Sequence, residues 1–124
     1  MINTVAIIGS GMMGSGIASQ AARAGKTVYL NDTTIEKAKT GKMKAVACLE
    51  ELDKHGLIKE KIEDICSRII PEADIEKAVE KAGFVIEAVF ENLELKQDVF
   101  EKLDSILEKN IPIASNTSGL RITD

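Results

Sequence analysis

A glycine-rich segment near the start of the chain constrains the fold more than any other feature. The β-branched, apolar run Thr4 to Ile8 leads directly into Gly9-Ser10-Gly11-Met12-Met13-Gly14, which matches the pattern G-x-G-x-x-G. The stretch from Gly14 to Ala24 is rich in small residues and predicts a helix. A strand, a glycine turn and a helix in this order predict a dinucleotide-binding unit, because the free N–H groups and the dipole of the helix attract a pyrophosphate.

Each glycine of this segment has its own expected role. Gly9 permits the tight turn, and Gly11 lets a phosphate approach the backbone. Gly14, helped by Gly16, lets the helix pack closely on the strand. Side chains at the glycine positions would block the ligand, so residues 9–14 form a candidate cofactor site. A glycine cluster that serves packing alone is the competing interpretation.

An acidic residue follows the second predicted strand, Lys26 to Asn31. Asp32 lies where a carboxylate can accept hydrogen bonds from the adenine ribose hydroxyls of NAD. A 2′-phosphate would meet Asp32 with like charge, and the segment 33–36 contains no arginine to neutralise it. The pattern therefore favours NAD over NADP. A helix N-cap is the other role open to this aspartate.

Strand and helix patterns alternate along the rest of the chain. A long helix with apolar positions from Ile35 to Leu52 and a helix from Lys59 to Ser67 are separated by His55-Gly56, which predicts a helical hairpin. The other predicted elements are an edge strand at Ile69-Ile70, a helix from Asp74 to Ala82, a buried strand from Phe84 to Val89, a helix from Glu94 to Leu107 and a strand from Ile111 to Ala114. The predicted fold class is α/β: a doubly wound parallel sheet of Rossmann type, order 3-2-1-4-5, with the helical hairpin inserted after the second strand.

The composition argues against several other functions. Sixteen basic and twenty acidic residues give a net charge of -4, and the chain has one Tyr, three Phe and no Trp, so it lacks the basic surface and the stacking residues of nucleic-acid-binding proteins. No apolar run approaches the roughly 18 residues of a membrane span. Cys48 and Cys66 lack the spacing of a metal site or a redox pair. We therefore predict no nucleic-acid, membrane or metal partner, and a cytoplasmic location with reduced thiols.

Polar residues follow the fourth and fifth predicted strands, at the edge where a doubly wound sheet binds its ligand. Glu91 and Lys96 after the fourth strand favour an ion pair or ribose contacts near the nicotinamide, and an exposed surface pair is the equal alternative. After the fifth strand, the polar segment Ser115 to Ser118, which includes Asn116, serves a ligand or a turn.

The sequence assigns no definite ligand to two further features, Glu87 and the outer face of the long helix. Glu87 interrupts the apolar strand 84–89, where a carboxylate needs a hydrogen-bonding partner, and the pattern assigns it no function. The outer face of the long helix is first interpreted as solvated surface and second as a contact for an anionic ligand. That face carries Lys37, Lys39, Lys42 and Lys44.

In these segments the sequence resembles the NAD-binding domain of the L-3-hydroxyacyl-CoA dehydrogenases, including the bacterial 3-hydroxybutyryl-CoA dehydrogenases. The resemblance covers essentially the whole chain and rests on Gly9 to Ala18, on Val85 to Lys96 (VIEAVFENLELK) and on Ala114 to Ser118 (ASNTS). It implies that residues 1–124 are the NAD-binding Rossmann domain of an oxidoreductase. That enzyme would interconvert (3S)-3-hydroxyacyl-CoA and 3-oxoacyl-CoA with NAD, in fatty acid β-oxidation or in butyrate metabolism.

The resemblance also implies individual roles. The glycine loop binds pyrophosphate, and Asp32 binds the adenine ribose. Glu91 and Lys96 contact the cofactor, and Asn116 lies near the nicotinamide. Ser118 is the catalytic-site residue of this chain, because its position contacts both the cofactor and the substrate near the reacting oxygen.

Two departures from the family pattern bear on activity. A loose alignment places Cys48 and His55 where the family often offers Ser and Lys to coenzyme A. The catalytic His and Glu of the family follow the position of Ser118, beyond the end of this chain, as does the domain for substrate and dimerisation. We therefore expect the chain to bind NAD without catalysing, with His55 as a surface residue. A dehydrogenase of another 3-hydroxy compound, of the carnitine or gulonate type, and a stand-alone nucleotide-binding module stay open as alternatives.

The fifth predicted strand indicates a further partner. In the family-like order, Ile111 to Ala114 would be covered by the strand that carries the catalytic His. An uncovered edge on an apolar strand favours pairing with another chain, and Pro112 only partly prevents it. We therefore expect concentration-dependent self-association, through this strand or through an exchanged C-terminal segment.

Overall fold

The computed structural model describes residues 3–88 and the backbone of residues 113–115. Within these ranges, strands and helices alternate as β1 Thr4–Ile8, α1 Met12–Arg23, β2 Thr27–Asn31, α2 Ile35–Lys54, α3 Ile62–Ser67, β3 Ile69–Glu72, α4 Ile75–Val79, β4 Phe84–Glu87 and β5 Ile113–Ser115. The predicted helix 94–107 lies outside the described residues, as do four candidate site residues, Glu91, Lys96, Asn116 and Ser118.

The described strands form one parallel sheet in the order β3-β2-β1-β4-β5. This confirms the predicted doubly wound Rossmann sheet and its strand order. β1 lies at the centre, and its last residue, Ile8, pairs with Asn31 of β2 and with Glu87 of β4. The carboxyl ends of these three strands therefore meet at one edge of the sheet, directly before the glycine segment and Asp32.

The strands are apolar on both faces because helices cover both. Val5 and Ile7 of β1 belong to the main core cluster, together with Ala18 of α1 and Leu49 of α2. Ala6, which the pleat places on the opposite face, is also buried, and α4 packs against β1, β2 and β3. Burying a side chain the size of Leu49 stabilises the fold by about 1.5–3 kcal/mol, so this core fixes the position of α1 and α2 on the sheet.

The helical hairpin after β2 is confirmed. α2 ends at Lys54, and Gly56 follows with a φ of 70°, a left-handed conformation that favours glycine. The Leu57 N–H then donates to the Leu52 carbonyl at 3.1 Å, and α3 packs back against α2. His55 is a surface residue as predicted, with its Nε2 atom 3.3 Å from Glu51 Oε1. Among the described helices, none combines the length and the apolar character needed to cross a bilayer.

The observed bounds differ from the predicted ones mainly at element ends. α1 begins at Met12 rather than at Gly14, so the last residues of the glycine motif already lie in its first turn. α3 begins at Ile62 rather than at Lys59, because Lys61 has extended backbone angles. β3 continues through Pro71, which is tolerated because β3 is an edge strand of the described sheet. Ser115, predicted in a turn, is the last residue of β5.

Thr34 caps the N-terminus of α2, the helix that reaches the glycine segment. Its hydroxyl accepts a hydrogen bond from the Lys37 N–H at 3.2 Å. We expect Thr34→Ala to lower the free energy of unfolding by about 1 kcal/mol, because this N–H loses its acceptor. Urea unfolding followed by circular dichroism measures the change. Thr40→Ala is the matched control, since its hydroxyl bonds only the Glu36 carbonyl of the same helix, and equal losses in both variants would contradict the capping role.

Candidate functional site

The glycine segment forms the turn between β1 and α1, at the carboxyl end of β1. Gly9 has a φ of 106°, which favours glycine, and its N–H donates to the Asn31 carbonyl at 2.8 Å. Gly11 is the N-cap of α1 and supplies no side-chain hydrogen bond, and the first turn of this helix carries no acidic residue. The positive end of the α1 dipole is thus left without an anionic side chain of its own, which suits an anionic ligand.

Gly14 lies where α1 passes closest to the turn. A Cβ atom at this position would be 1.9 Å from the Gly9 carbonyl oxygen and 3.5 Å from Ile7 Cγ2. Only glycine allows this approach, which is the packing role expected of Gly14. Gly16 differs, because a Cβ atom there would have no atom of another element within 4 Å. The prediction that Gly16 helps this packing is therefore wrong: that position of α1 faces open space.

Asp32 follows β2, and its carboxylate faces the glycine segment. Oδ2 accepts hydrogen bonds from the Ser10 N–H at 3.0 Å and from the Ser10 hydroxyl, while Oδ1 accepts one from the Thr33 N–H at 2.7 Å. The alternative N-cap role does not fall to Asp32, because Thr34 caps α2. Ser10 and Thr33 thus hold the carboxylate beside the turn.

The environment of Asp32 favours its ionised form. Partial burial acts to raise the pKa of the Asp32 carboxyl, but the hydrogen bonds from Ser10 and Thr33 and the charge of Lys37 outweigh it. The pKa of Asp32 therefore lies below its ordinary value. At neutral pH this side chain is an anion that can accept further hydrogen bonds but repels a phosphate.

A cleft of about 320 Å³ opens beside Asp32. Its size is near the lower end of the range for small-molecule sites. Of the four lysines on the outer face of α2, Lys37 and Lys44 line the cleft, and the other two do not. Lys37 and Lys44 are exposed, and Glu36 lies beside them, so the α2 side of the cleft is solvent-accessible and carries both signs of charge. The full lining is Ser10, Gly11, Asp32, Glu36, Lys37, Thr40 and Lys44.

Sequence reasoning missed the contact between α2 and the glycine segment. Gly41 lies against Ser10, and a Cβ atom at Gly41 would be 2.5 Å from Ser10 Cβ and 2.7 Å from the Ser10 carbonyl oxygen. The Ser10 hydroxyl also lies 2.9 Å from the Lys37 carbonyl oxygen of the same helix. An isolated glycine inside an otherwise helical pattern is the signal that could have indicated such a contact.

The structure thus brings together residues 9–14 and Asp32, with Met12 and Met13 opening α1. Glu87 is fully buried at the end of β4, in register with Ile8 and Ser115. The other four candidates, Glu91, Lys96, Asn116 and Ser118, lie outside the described residues and stay predictions.

Comparison with known proteins identifies relatives over the full length of the chain. A family model described as "3-hydroxyacyl-CoA dehydrogenase, NAD binding domain" matches residues 4–124. The mitochondrial hydroxyacyl-coenzyme A dehydrogenase of Rattus norvegicus is 36% identical over 130 residues, which cover 100% of this chain and 41% of that protein. A probable 3-hydroxybutyryl-CoA dehydrogenase of Bacillus subtilis is 36% identical over 124 residues, covering 99% of this chain and 43% of that protein.

A solved structure agrees with these sequence relatives. The crystal structure of (S)-3-hydroxybutyryl-CoA dehydrogenase from Ralstonia eutropha matches with a TM-score of 0.89 and 32% sequence identity, over 97% of this chain and 42% of that one. The chain spans less than half the length of each of these three proteins. Because the family model matches residues 4–124 and the relatives cover 97–100% of this chain, the chain belongs to the family of NAD-binding domains of the 3-hydroxyacyl-CoA dehydrogenases.

Proposed function

We propose that NAD binds across the turn between β1 and α1, with its pyrophosphate on residues 9–14 and its adenine ribose on Asp32. The observation that carries this proposal is the ionised carboxylate of Asp32, bonded to the Ser10 N–H inside the glycine segment. Ribose hydroxyls are donors and suit a carboxylate acceptor, while the N–H groups that open α1 suit a pyrophosphate. The close contact at Gly14 supports this position of the pyrophosphate, because it places the N-terminus of α1 next to the turn.

The same carboxylate supports a preference for NAD over NADP. The 2′-phosphate of NADP would meet the negative charge of Asp32, which is half-buried and poorly screened. Lys37 and Lys44 offer compensating charge, but both are exposed, and an exposed ion pair contributes only about 0–1 kcal/mol. The repulsion at Asp32 is the larger effect.

Four further residues belong to the proposed site, and their roles are inferred from the family to which the chain belongs. Glu91, Lys96 and Asn116 contact the cofactor, and Ser118 contacts the cofactor and the substrate oxygen. Their positions after β4 and β5 in the sequence support this, since the carboxyl ends of these strands lie at the same edge as the glycine segment.

For a protein in which this domain is joined to a substrate domain, we infer the interconversion of (3S)-3-hydroxyacyl-CoA and 3-oxoacyl-CoA. The names of the relatives support this substrate class. The chemistry that bound NAD supplies is hydride acceptance at its nicotinamide ring. Residues 1–124 would hold and orient the cofactor for that chemistry. The cytoplasmic location stays a prediction, because relatives include a mitochondrial protein. Self-association, through β5 or through an exchanged C-terminal segment, also stays a prediction.

Amide chemical shifts of the isotope-labelled 124-residue chain, titrated with NAD, test where the cofactor binds. We expect the largest shifts at Gly9, Gly11, Gly14 and Asp32. Largest shifts confined to α3 or α4 would contradict the proposed site. For the protein with its substrate domain, NADH formation from (3S)-3-hydroxybutyryl-CoA is expected to exceed that from carnitine or gulonate, and the reverse preference would contradict the substrate class.

The 124-residue chain by itself is expected to show no measurable dehydrogenase turnover. Its one histidine, His55, is exposed and lies beside Glu51 at the end of α2, so we assign it no part in proton transfer. Loss of a general base alone lowers the rate by roughly 10²–10⁴-fold. NADH formation by the purified chain with (3S)-3-hydroxybutyryl-CoA measures this, and turnover comparable to that of a complete dehydrogenase would contradict the expectation.

A further inference from the structure

The glycine segment is proposed to bind pyrophosphate through its backbone N–H groups, and this role does not explain why the Ser10 side chain contacts Asp32. Ser10 is 4% exposed, and its N–H and its hydroxyl both donate to the same carboxylate atom, Asp32 Oδ2. The hydroxyl has a second acceptor within reach, because the Lys37 carbonyl oxygen lies 2.9 Å from Ser10 Oγ. A hydroxyl carries one proton, so it can donate fully to only one of these two oxygens at a time.

Ser10 itself is held from two sides. Gly41 of α2 lies so close that a Cβ atom there would be 2.5 Å from Ser10 Cβ. From α1, the buried Ser15 hydroxyl donates to the Ser10 carbonyl at 2.9 Å. Because both helices fix its backbone and its Cβ, the Ser10 hydroxyl is presented to Asp32 from a rigid support.

We propose that the Ser10 hydroxyl is a positioning group for the cofactor: by donating to Oδ2 it fixes the Asp32 carboxylate in the orientation that receives the adenine ribose, both without and with NAD. A carboxylate has about four acceptor sites, and the Ser10 N–H, the Ser10 hydroxyl and the Thr33 N–H use three of them, which leaves a site on Oδ1 for a ribose hydroxyl. The Lys37 carbonyl is the alternative acceptor, so the Ser10 hydroxyl stays paired whenever its proton turns away from Oδ2. The inference rests on the proposed function, since it assigns the ribose to Asp32.

The Ser10 hydroxyl also keeps the carboxylate charged. Burial acts to raise the pKa of Asp32, and the hydrogen bond from the Ser10 side chain is the strongest effect that lowers it. The charged groups that share the cleft with Asp32 are Glu36, Lys37 and Lys44, all from α2. They remain when the hydroxyl is removed, so its loss is expected to move the Asp32 pKa upward and to move the acid loss of NAD affinity to higher pH.

The test compares Ser10→Ala with Ser19→Ala in the full chain. Both variants delete one buried serine hydroxyl, but the Ser19 hydroxyl bonds the Gly16 carbonyl within α1, whereas the Ser10 hydroxyl bonds Asp32. Two quantities are measured: the dissociation constant of NAD by calorimetry from neutral to acidic pH, and the titration midpoint of the Asp32 carboxyl carbon by NMR without cofactor. We expect Ser10→Ala to weaken NAD binding about three- to tenfold at neutral pH and to raise the Asp32 midpoint. Ser19→Ala is expected to leave that midpoint unchanged.

Each other outcome overturns the proposal. An unchanged Asp32 midpoint in Ser10→Ala contradicts the contact, and tighter NAD binding in that variant means that Ser10 competes with the ribose instead of positioning Asp32. Absence of NAD binding by the unaltered chain overturns the proposed function and this role together, whereas normal binding with no effect of Ser10→Ala overturns this role alone. If Ser10→Ala does not fold, Ser10→Gly removes the same hydroxyl and replaces it in both measurements.

Discussion

Gly14→Ala is expected to lower the free energy of unfolding by about 3 kcal/mol, at the upper end of the usual cost of overpacking. The new Cβ atom would lie 1.9 Å from the Gly9 carbonyl oxygen and 3.0 Å from its carbonyl carbon. Both are backbone atoms, so no side-chain rotation relieves the clash. α1 must then move away from β1, which loosens its packing on the sheet and on α2. Urea unfolding followed by circular dichroism measures the loss.

Gly16→Ala is the matched control for this prediction, because it adds the same methyl group two residues further along α1. A Cβ atom there meets nothing within 4 Å, and alanine is a better helix former than glycine by about 1 kcal/mol. The control is therefore expected to be as stable as the unaltered chain or more so. Equal stability of Gly14→Ala and Gly16→Ala would contradict the close contact at the turn.

Asp32→Ala is expected to weaken NAD binding by about 1–3 kcal/mol, a factor of roughly 5–150 in the dissociation constant. The variant removes the acceptor proposed for the ribose hydroxyls and the negative charge that repels a 2′-phosphate. NAD affinity should therefore fall while the preference for NAD over NADP shrinks. Calorimetric titration of the variant with both cofactors measures the two effects together.

Asp64→Ala controls for the change in net charge, because it removes an exposed carboxylate from α3, outside the cleft. It is expected to bind NAD as the unaltered chain does. If Asp32→Ala bound NAD with the affinity of Asp64→Ala, Asp32 would have no role in cofactor binding.

Local signals account for the parts of this fold that the sequence predicts well. The strand, glycine turn and helix at residues 4–24 are recognisable because each part has its own periodicity or backbone requirement. The strand order follows from right-handed crossovers between short parallel strands, and Asp32 follows from its distance along the chain from Gly14. These features depend on neighbours in sequence or on general rules of sheet topology.

Contacts between distant segments are the parts that the sequence does not predict. The bond between Ser10 and Asp32 and the contact of Gly41 with Ser10 join residues more than 20 positions apart. The first contact depends on how the ends of β1 and β2 meet, and the second on how closely α2 approaches the turn. Both are set by packing and not by local pattern. Packing also explains why Gly14 and Gly16 differ. Both lie in α1, but only at Gly14 is another segment close enough to contact an added Cβ atom. α3 begins later than predicted because Lys61 has an extended backbone. The polar residues before Lys61 give no specific signal for this conformation.

Calorimetric titration of the unaltered 124-residue chain with NAD and with NADP, at neutral pH and equal salt, decides whether the chain binds NAD and whether Asp32 selects it over NADP. The ionised Asp32 beside the glycine turn predicts that NAD binds and that NADP binds at least about tenfold more weakly, since one like-charge contact in a half-buried site costs more than 1 kcal/mol. Absence of NAD binding, or NADP binding as tight as that of NAD, would contradict the account.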